Sequence, residues 1–465
     1  MEKIKPSFTF ILSALLILFV LINPSATIDI IALVVLSLIV LQKTFGDYAV
    51  ILLLALRPMI DIWRDNIIFS ARDVDINLNA ALAIILLGWS AYFLYSNRSY
   101  LKRAPWPYFW LAWLGWCAIS WIFSYDRPST MIELVKAANL FALFNIGFIL
   151  RSKYKEFFNR HIYIILLVSA IIPFGLGAWQ ALSGAGMRID DVANRIYGTF
   201  AHPNVLATFA LLILMVSIDY LIKHQLSWRK LIKLIPTKSE WLEKLYLPVI
   251  LICAGIIFFT YTRAVWIGLI IFSIIVSMRY ARKQLAIAIL GIALFYSLFY
   301  PVNSFLISTF NSNLQSNQTI ARLTARTRES DSIKWRADLF NKVTPIFWRR
   351  PLIGYGYGSF TKVWNDNKGR ENWWDTGSEA HNDYLRVAFE TGFIGLALFL
   401  SIFGYLIVRQ LRFGIRHDWS NIVFLASLAV YLALSLSDNM LSHTATSWWI
   451  WFIWGMWCSE KQKPS

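Results

Sequence analysis

Of the 465 residues, 57% are hydrophobic and only 15% are charged, where a soluble domain carries about 25%. Mean hydropathy is +0.54, and aromatic residues make up 16% of the chain. A soluble core of this length cannot hide so much apolar surface, and disordered, collagen-like and disulfide-scaffold classes are excluded as well. An integral membrane protein remains. Its apolar residues fall in long runs rather than alternating strands, so the spans are helices and the fold class is all-α.

Taken in chain order, the apolar runs predict about 12–14 transmembrane helices. They lie at 8–22, 28–42, 47–58, 78–96, 106–124, 131–150, 161–181, 199–222, 246–262, 264–278, 284–300, 382–408, 420–437 and 445–458. The run at 47–58 is short enough to be a half-span. Segment 8–22 follows Lys3 and Lys5 like a signal peptide, but no small-x-small cleavage site follows it, so it reads as a first span. No internal repeat of the inverted-transporter kind is visible. This divides the chain into 1–300, helices with short loops; 301–381, one large loop; and 382–465, the last helices.

Charge orients the helices. With the N-terminus on the cytoplasmic side, the inner connections hold 24 Lys and Arg and the short outer ones hold 7. That is the positive-inside bias, and it places both termini in the cytoplasm. The net charge of +17 is therefore largely a topology signal. Scattered over turns rather than gathered in a groove, it does not suit a nucleic-acid partner. The tryptophans cluster in 106–121 and 448–457, where interface belts and contact with membrane lipids would explain most of them.

Unusual polar residues collect on the outer face. Arg195 precedes His202-Pro203-Asn204, which opens a helix. Arg263 occupies a tight turn, Thr260-Tyr261-Thr262-Arg263, between two spans. It is either a snorkelling arginine or an anion clamp, since its planar fork holds two phosphate oxygens at once. Arg195 reads equally as a solvated loop charge, and His202 as a capping or a catalytic group. Within the large loop, 338–348 is an amphipathic helix with Leu339, Val343, Ile346 and Phe347 on one face. The stretch from Pro351 to Gly358 follows. Its glycines are no nucleotide loop, because no Gly-Lys-Ser/Thr ends it. His381 stands at the next helix entrance as a candidate base. Arg386 and Glu390, four residues apart, can pair, as can Glu133 and Lys136.

Metal signatures are missing from the sequence: there is no His-Glu-x-x-His, and Cys117, Cys253 and Cys458 all lie in apolar runs. Asp73-Val74-Asp75 reads as a solvated acidic loop rather than a metal site. No cofactor is expected.

Four motifs together resemble the O-antigen ligase/polymerase family: Arg195-x-x-Gly198-Thr199-Phe200-x-His202-Pro203-Asn204; Thr260-x-Thr262-Arg263; Pro351-Leu352-Ile353-Gly354-x-Gly356; and His381-Asn382 with Glu390-x-Gly392. The resemblance covers roughly 190–400. It implies a metal-independent glycosyltransferase of the bacterial inner membrane, working at the periplasmic face in lipopolysaccharide biosynthesis. Its donor would be a glycan linked to undecaprenyl pyrophosphate, and its acceptor lipid A-core for a ligase or a second lipid-linked repeat for a polymerase. It further implies that Arg195 and Arg263 hold the donor and that His381 is the catalytic histidine. Arg336 is a third candidate for phosphate or glycan contact, with His202, Asn204, Asn382 and Glu390 in support. Such chemistry suits these residues. Charge grows on the leaving pyrophosphate, which arginines stabilise, and direct displacement inverts the anomeric centre. The competing class is a transporter or flippase of lipid-linked glycans. It would place its charges at mid-membrane rather than at one face.

Overall fold

The computed structural model describes residues 39–40, 42–71, 74–102, 104, 108–189, 193–223, 241–278, 332–367, 379–412 and 419–459. The spans expected at 8–22 and 284–300, most of that at 28–42, and Trp106, Asp73 and 301–331 lie outside these residues. The principal helices are α1 (Ala49–Ile60), α2 (Leu78–Ser96), α3 (Tyr108–Ser120), α4 (Arg127–Lys153), α5 (Ile162–Ser183), α6 (Pro203–Lys223) and α7 (Trp241–Phe259). They continue as α8 (Arg263–Ser277), α9 (Ser332–Phe347), α10 (Phe360–Asn367), α11 (Asp383–Arg412), α12 (Trp419–Leu434) and α13 (Thr444–Ser459). Five of them, α2, α4, α5, α6 and α11, are long and apolar enough to cross a membrane, and shorter apolar helices accompany them. The protein is an all-α integral membrane protein. Two short antiparallel ribbons sit in its connections: β1 (Ile67–Ala71) with β2 (Val74–Asn77), and β3 (Met187–Ile189) with β4 (Ala193–Arg195).

The chain forms two compact units. One comprises residues 1–106, 128–170 and 447–465, and the other 107–127 and 171–446. In the first, Asn77 caps α2, its Oδ1 accepting from the Ala80 N–H at 2.9 Å. Arg57 and Asp61 form a buried pair at 2.8 Å, and the pairing of Lys136 with Glu133, at 2.6 Å, follows the sequence expectation. A close approach of α4 and α13 organises this unit. A Cβ on Gly147 would lie 2.1 Å from the Phe452 carbonyl oxygen, and one on Gly455 would lie 1.8 Å from that of Phe144. Small residues permit such backbone contact between membrane helices. One sequence expectation is corrected here. Trp448, Trp449, Trp451, Trp454 and Trp457 are all buried, so they pack the protein interior instead of forming a lipid-facing belt. Trp110 and Trp113 are buried too, while Trp121 is exposed.

In the second unit α6 packs on α7, α8 on α12, and α3 on α11. Helix α9 buries Leu339, Val343 and Ile346 against Tyr355, Phe360, Val363, Trp364 and Phe389, the face its periodicity predicts. Helix α11 is broken at Gly392, whose φ is 68° and ψ −175°. The turn-rich stretch 351–356 fills the break. The Phe393 N–H donates to the Pro351 carbonyl at 2.8 Å, Gly356 N–H to Glu390 at 2.8 Å, and Tyr355 N–H to Phe389 at 3.2 Å. Gly354 and Gly392 are required because the two backbones touch. A Cβ on Gly354 would meet the Glu390 carbonyl at 2.4 Å, and one on Gly392 the Leu352 oxygen at 2.0 Å. Both motifs therefore have a folding reason, whatever their chemistry.

Candidate functional site

The second unit gathers the start of α6, the start of α8, the start of α11 and the connection between α12 and α13. Sequence spacing cannot reveal this convergence, since the segments are tens to hundreds of residues apart. Each is held by backbone contacts. Gln180 on α5 accepts from the Tyr197 and Gly198 N–H groups at 2.9 and 2.8 Å, fixing the turn after Arg195. The Ile196 N–H donates to Phe259 at 3.3 Å, joining β4 to the end of α7. The α12–α13 connection is stapled to the start of α11. Asp383 N–H donates to Ser435 at 2.9 Å, and Asn382 Nδ2 donates to the Leu436 carbonyl at 3.1 Å.

Arg195 is 5% exposed, so it is no solvated loop charge. Its Nε donates to the Thr260 carbonyl at 2.7 Å, and its Nη2 to Asn204 Oδ1 at 3.0 Å and to Thr262 Oγ1 at 3.1 Å. Asn204 then donates through Nδ2 to Asp438 Oδ2 at 2.7 Å. Asp438 is the hub. Its Oδ1 lies 3.8 Å from His381 Nδ1 and 3.5 Å from His443 Nε2, and it accepts from the Asn439 N–H at 2.9 Å. Arg336 on α9 donates to the Ser437 carbonyl at 3.0 Å and is acted on electrostatically by both Asp438 and Arg263. Arg263 is the first residue of α8, where the helix dipole is positive.

Burial pushes the Asp438 carboxyl upward, but His443, His381 and the Asn439 N–H outweigh it and hold it well below the usual carboxylate range. It is a fixed anion. His202 is lowered to about 3, first by burial and then by Arg195, with Asp438 opposing. It stays neutral, and its Nδ1 accepts from the Asn204 N–H at 3.2 Å. His202 therefore caps α6. Arg336 is lowered from the ordinary guanidinium value, first by burial and then, against Asp438, by Arg263.

His381 carries a backbone φ of 47°. A non-glycine residue in the left-handed region costs about 1–3 kcal/mol, and such strain gathers at functional sites. Asn382 caps α11, its Oδ1 accepting from the Leu385 N–H at 2.9 Å. Glu390 lies deeper. Its Oε1 accepts from Arg386 Nε at 3.2 Å and from the Phe360 N–H at 3.2 Å, so it ties α11 to α10 rather than joining the arginines.

The structure thus links Asn204, His381, His443, His202 and Arg336 to Asp438, joins Arg195 to it through Asn204, sets Arg263 to act on Arg336, holds the adjoining connection through Asn382, and bonds Glu390 to Arg386 and Phe360. Asp438 and His443 were missed by sequence reasoning. The signal was available: the connection between the last two predicted spans is short and carries both residues.

Fold and site together define a membrane-embedded protein with a cluster of arginines and a His–Asp pair at one end of its helices. Residues 248–400 match the family model described as O-antigen ligase. The match is to an O-antigen ligase-like family and supports a membrane glycosyltransferase of the ligase/polymerase type. It includes Arg263, Arg336, His381, Asn382 and Glu390, while Arg195, His202, Asn204, Asp438 and His443 lie outside it. No curated protein matches the chain.

Proposed function

We propose that the chain is an O-antigen ligase. It moves a glycan from undecaprenyl pyrophosphate to a hydroxyl of lipid A-core, on the periplasmic side of the bacterial inner membrane. The observation that carries this reading is the grouping of Arg195, Arg263 and Arg336 about the His381–Asp438 pair. Such a cluster suits a reaction in which pyrophosphate leaves. The arginines hold the donor phosphates, and their charge stabilises the leaving group as its negative charge grows. His381 Nδ1 faces Asp438, which leaves Nε2 for the acceptor hydroxyl. Nε2 takes the proton, the oxygen bonds to the anomeric carbon, and the carbon–oxygen bond to pyrophosphate breaks with inversion. Asp438 stabilises the imidazolium without itself taking the proton. No metal is needed in this scheme. The bias of Lys and Arg toward one set of connections supports cytoplasmic termini and an outer site, with segment 301–381 as its cap.

The test uses purified protein in nanodiscs with an undecaprenyl-pyrophosphate glycan, EDTA, and either lipid A-core or a second lipid-linked repeat. Transfer to lipid A-core that His381→Ala abolishes is the expected result. Elongation of the lipid-linked repeat instead would make the protein a polymerase with the same site. Transfer to neither acceptor by a well-folded protein would overturn the proposal.

A further inference from the structure

The break in α11 leaves beyond it a helical segment of membrane-crossing length. From Phe393 to Arg412 the helix runs 20 residues, about 30 Å at 1.5 Å per residue, which is the thickness of bilayer hydrocarbon. Arg409 and Arg412 mark its far end. Phe393 and Ile394 therefore stand at the surface nearer the site, and both are exposed. A second group of apolar side chains meets them there. Trp348 is 60% exposed and Leu352 63%, and Phe340 and Ile353 are exposed as well. The Trp348 ring centroid lies 6.0 Å from that of Phe393. The carbonyls of Pro351 and Leu352 accept from the Phe393 and Ile394 N–H groups, so this segment is held at the height of the boundary.

The opposite face of α9 is already buried in its own core, so the patch is not surplus core surface. Its chemistry identifies what covers it. Arg349 and Arg350 follow Trp348 directly, and both are exposed. Tryptophan beside arginine beside aliphatic residues is the composition of an interfacial anchor, with the ring at headgroup level and the cations among phosphates. Two copies meeting through this face would instead oppose four arginines.

We infer that Trp348–Ile353 seats the α9 cap on the membrane, with its apolar side chains among the upper acyl chains and Arg349 and Arg350 on anionic phospholipid headgroups. This holds the site mouth at the level of lipid phosphates. The inference does not depend on the reaction proposed above.

The experiment uses the full chain in nanodiscs of phosphatidylcholine with a minority of phosphatidylglycerol. An environment-sensitive fluorophore is attached through Leu352→Cys, since Cys117, Cys253 and Cys458 are buried. Quenching by lipids brominated high on the acyl chain, with protection from aqueous iodide, is expected. Quenching by iodide alone overturns the anchor. Unlabelled Arg349→Gln/Arg350→Gln protein serves as the second measurement. Each arginine is worth about a factor of five toward an anionic surface, so phosphatidylglycerol retained in native mass spectrometry falls several-fold. Equal retention overturns the headgroup contact.

Discussion

Replacing Gly392 by alanine tests whether the broken helix is what positions the site. The backbone there, at φ 68° and ψ −175°, belongs to a region that only glycine occupies freely, and alanine costs about 1–3 kcal/mol in it. The new Cβ would also lie 2.0 Å from the Leu352 oxygen. Backbone, not a flexible side chain, must move to relieve that contact. The segment 351–356 is held to α11 by the bonds of Phe393, Gly356 and Tyr355 and a longer one from Ile394, each worth about 1 kcal/mol. Strain plus loss of most of these bonds destabilises by about 3–6 kcal/mol. Gly404 is the control: it lies in the same helix with nothing within 4 Å of an added Cβ, and alanine there is neutral or mildly stabilising. Thermal unfolding of the purified protein, followed by tryptophan fluorescence, compares the two. A Gly392→Ala protein as stable as wild type would refute the argument that the loop and the break lock each other.

Three further outcomes are expected. Asn204→Ala cuts the link between Arg195 and Asp438 and removes one hydrogen bond from each of these buried groups, at about 1–3 kcal/mol each; glycan transfer should fall at least tenfold, and unchanged transfer would show that the link is idle. Glu390→Gln removes the carboxylate charge paired with buried Arg386 at 3.2 Å. It should cost about 3–5 kcal/mol, seen as a lowered unfolding temperature, whereas Asn382→Ala should lose only about 1 kcal/mol as a helix cap. His202 is lowered to about 3 in the folded protein, below its ordinary value of about 6.5, so the unfolded chain binds more protons between those values. Its contribution is present above about pH 6.5 and is lost as pH falls toward 3, at up to about 1.4 kcal/mol per unit. His202→Gln should flatten the stability profile between pH 6.5 and 4, and a profile as steep as wild type would remove His202 as the cause.

Much of the architecture was legible because it is local. A run of apolar residues long enough to cross a bilayer announces a helix whatever lies beside it, and α2, α5 and α11 begin within a residue or two of where the apolar runs do. The same holds for the amphipathic face of α9 and for the pairs Arg386–Glu390 and Glu133–Lys136, which depend only on helical spacing. Arg195, Arg263, Arg336 and His381 stood out as charges or a base placed at one membrane face.

The rest depended on contacts distant in sequence. Asn204 reaches Asp438 across 234 residues, and no local pattern marks Asp438 as the hub of the site. Burial made His202 a neutral cap where the sequence left catalysis open. It also turned Glu390 into a brace for α10 and the tryptophans of α13 into core. Composition cannot separate a tryptophan that meets lipid from one that meets protein, because both surroundings are apolar. The distinction was decided where α4 and α13 approach through Gly147 and Gly455, a contact that exists only once the chain has folded.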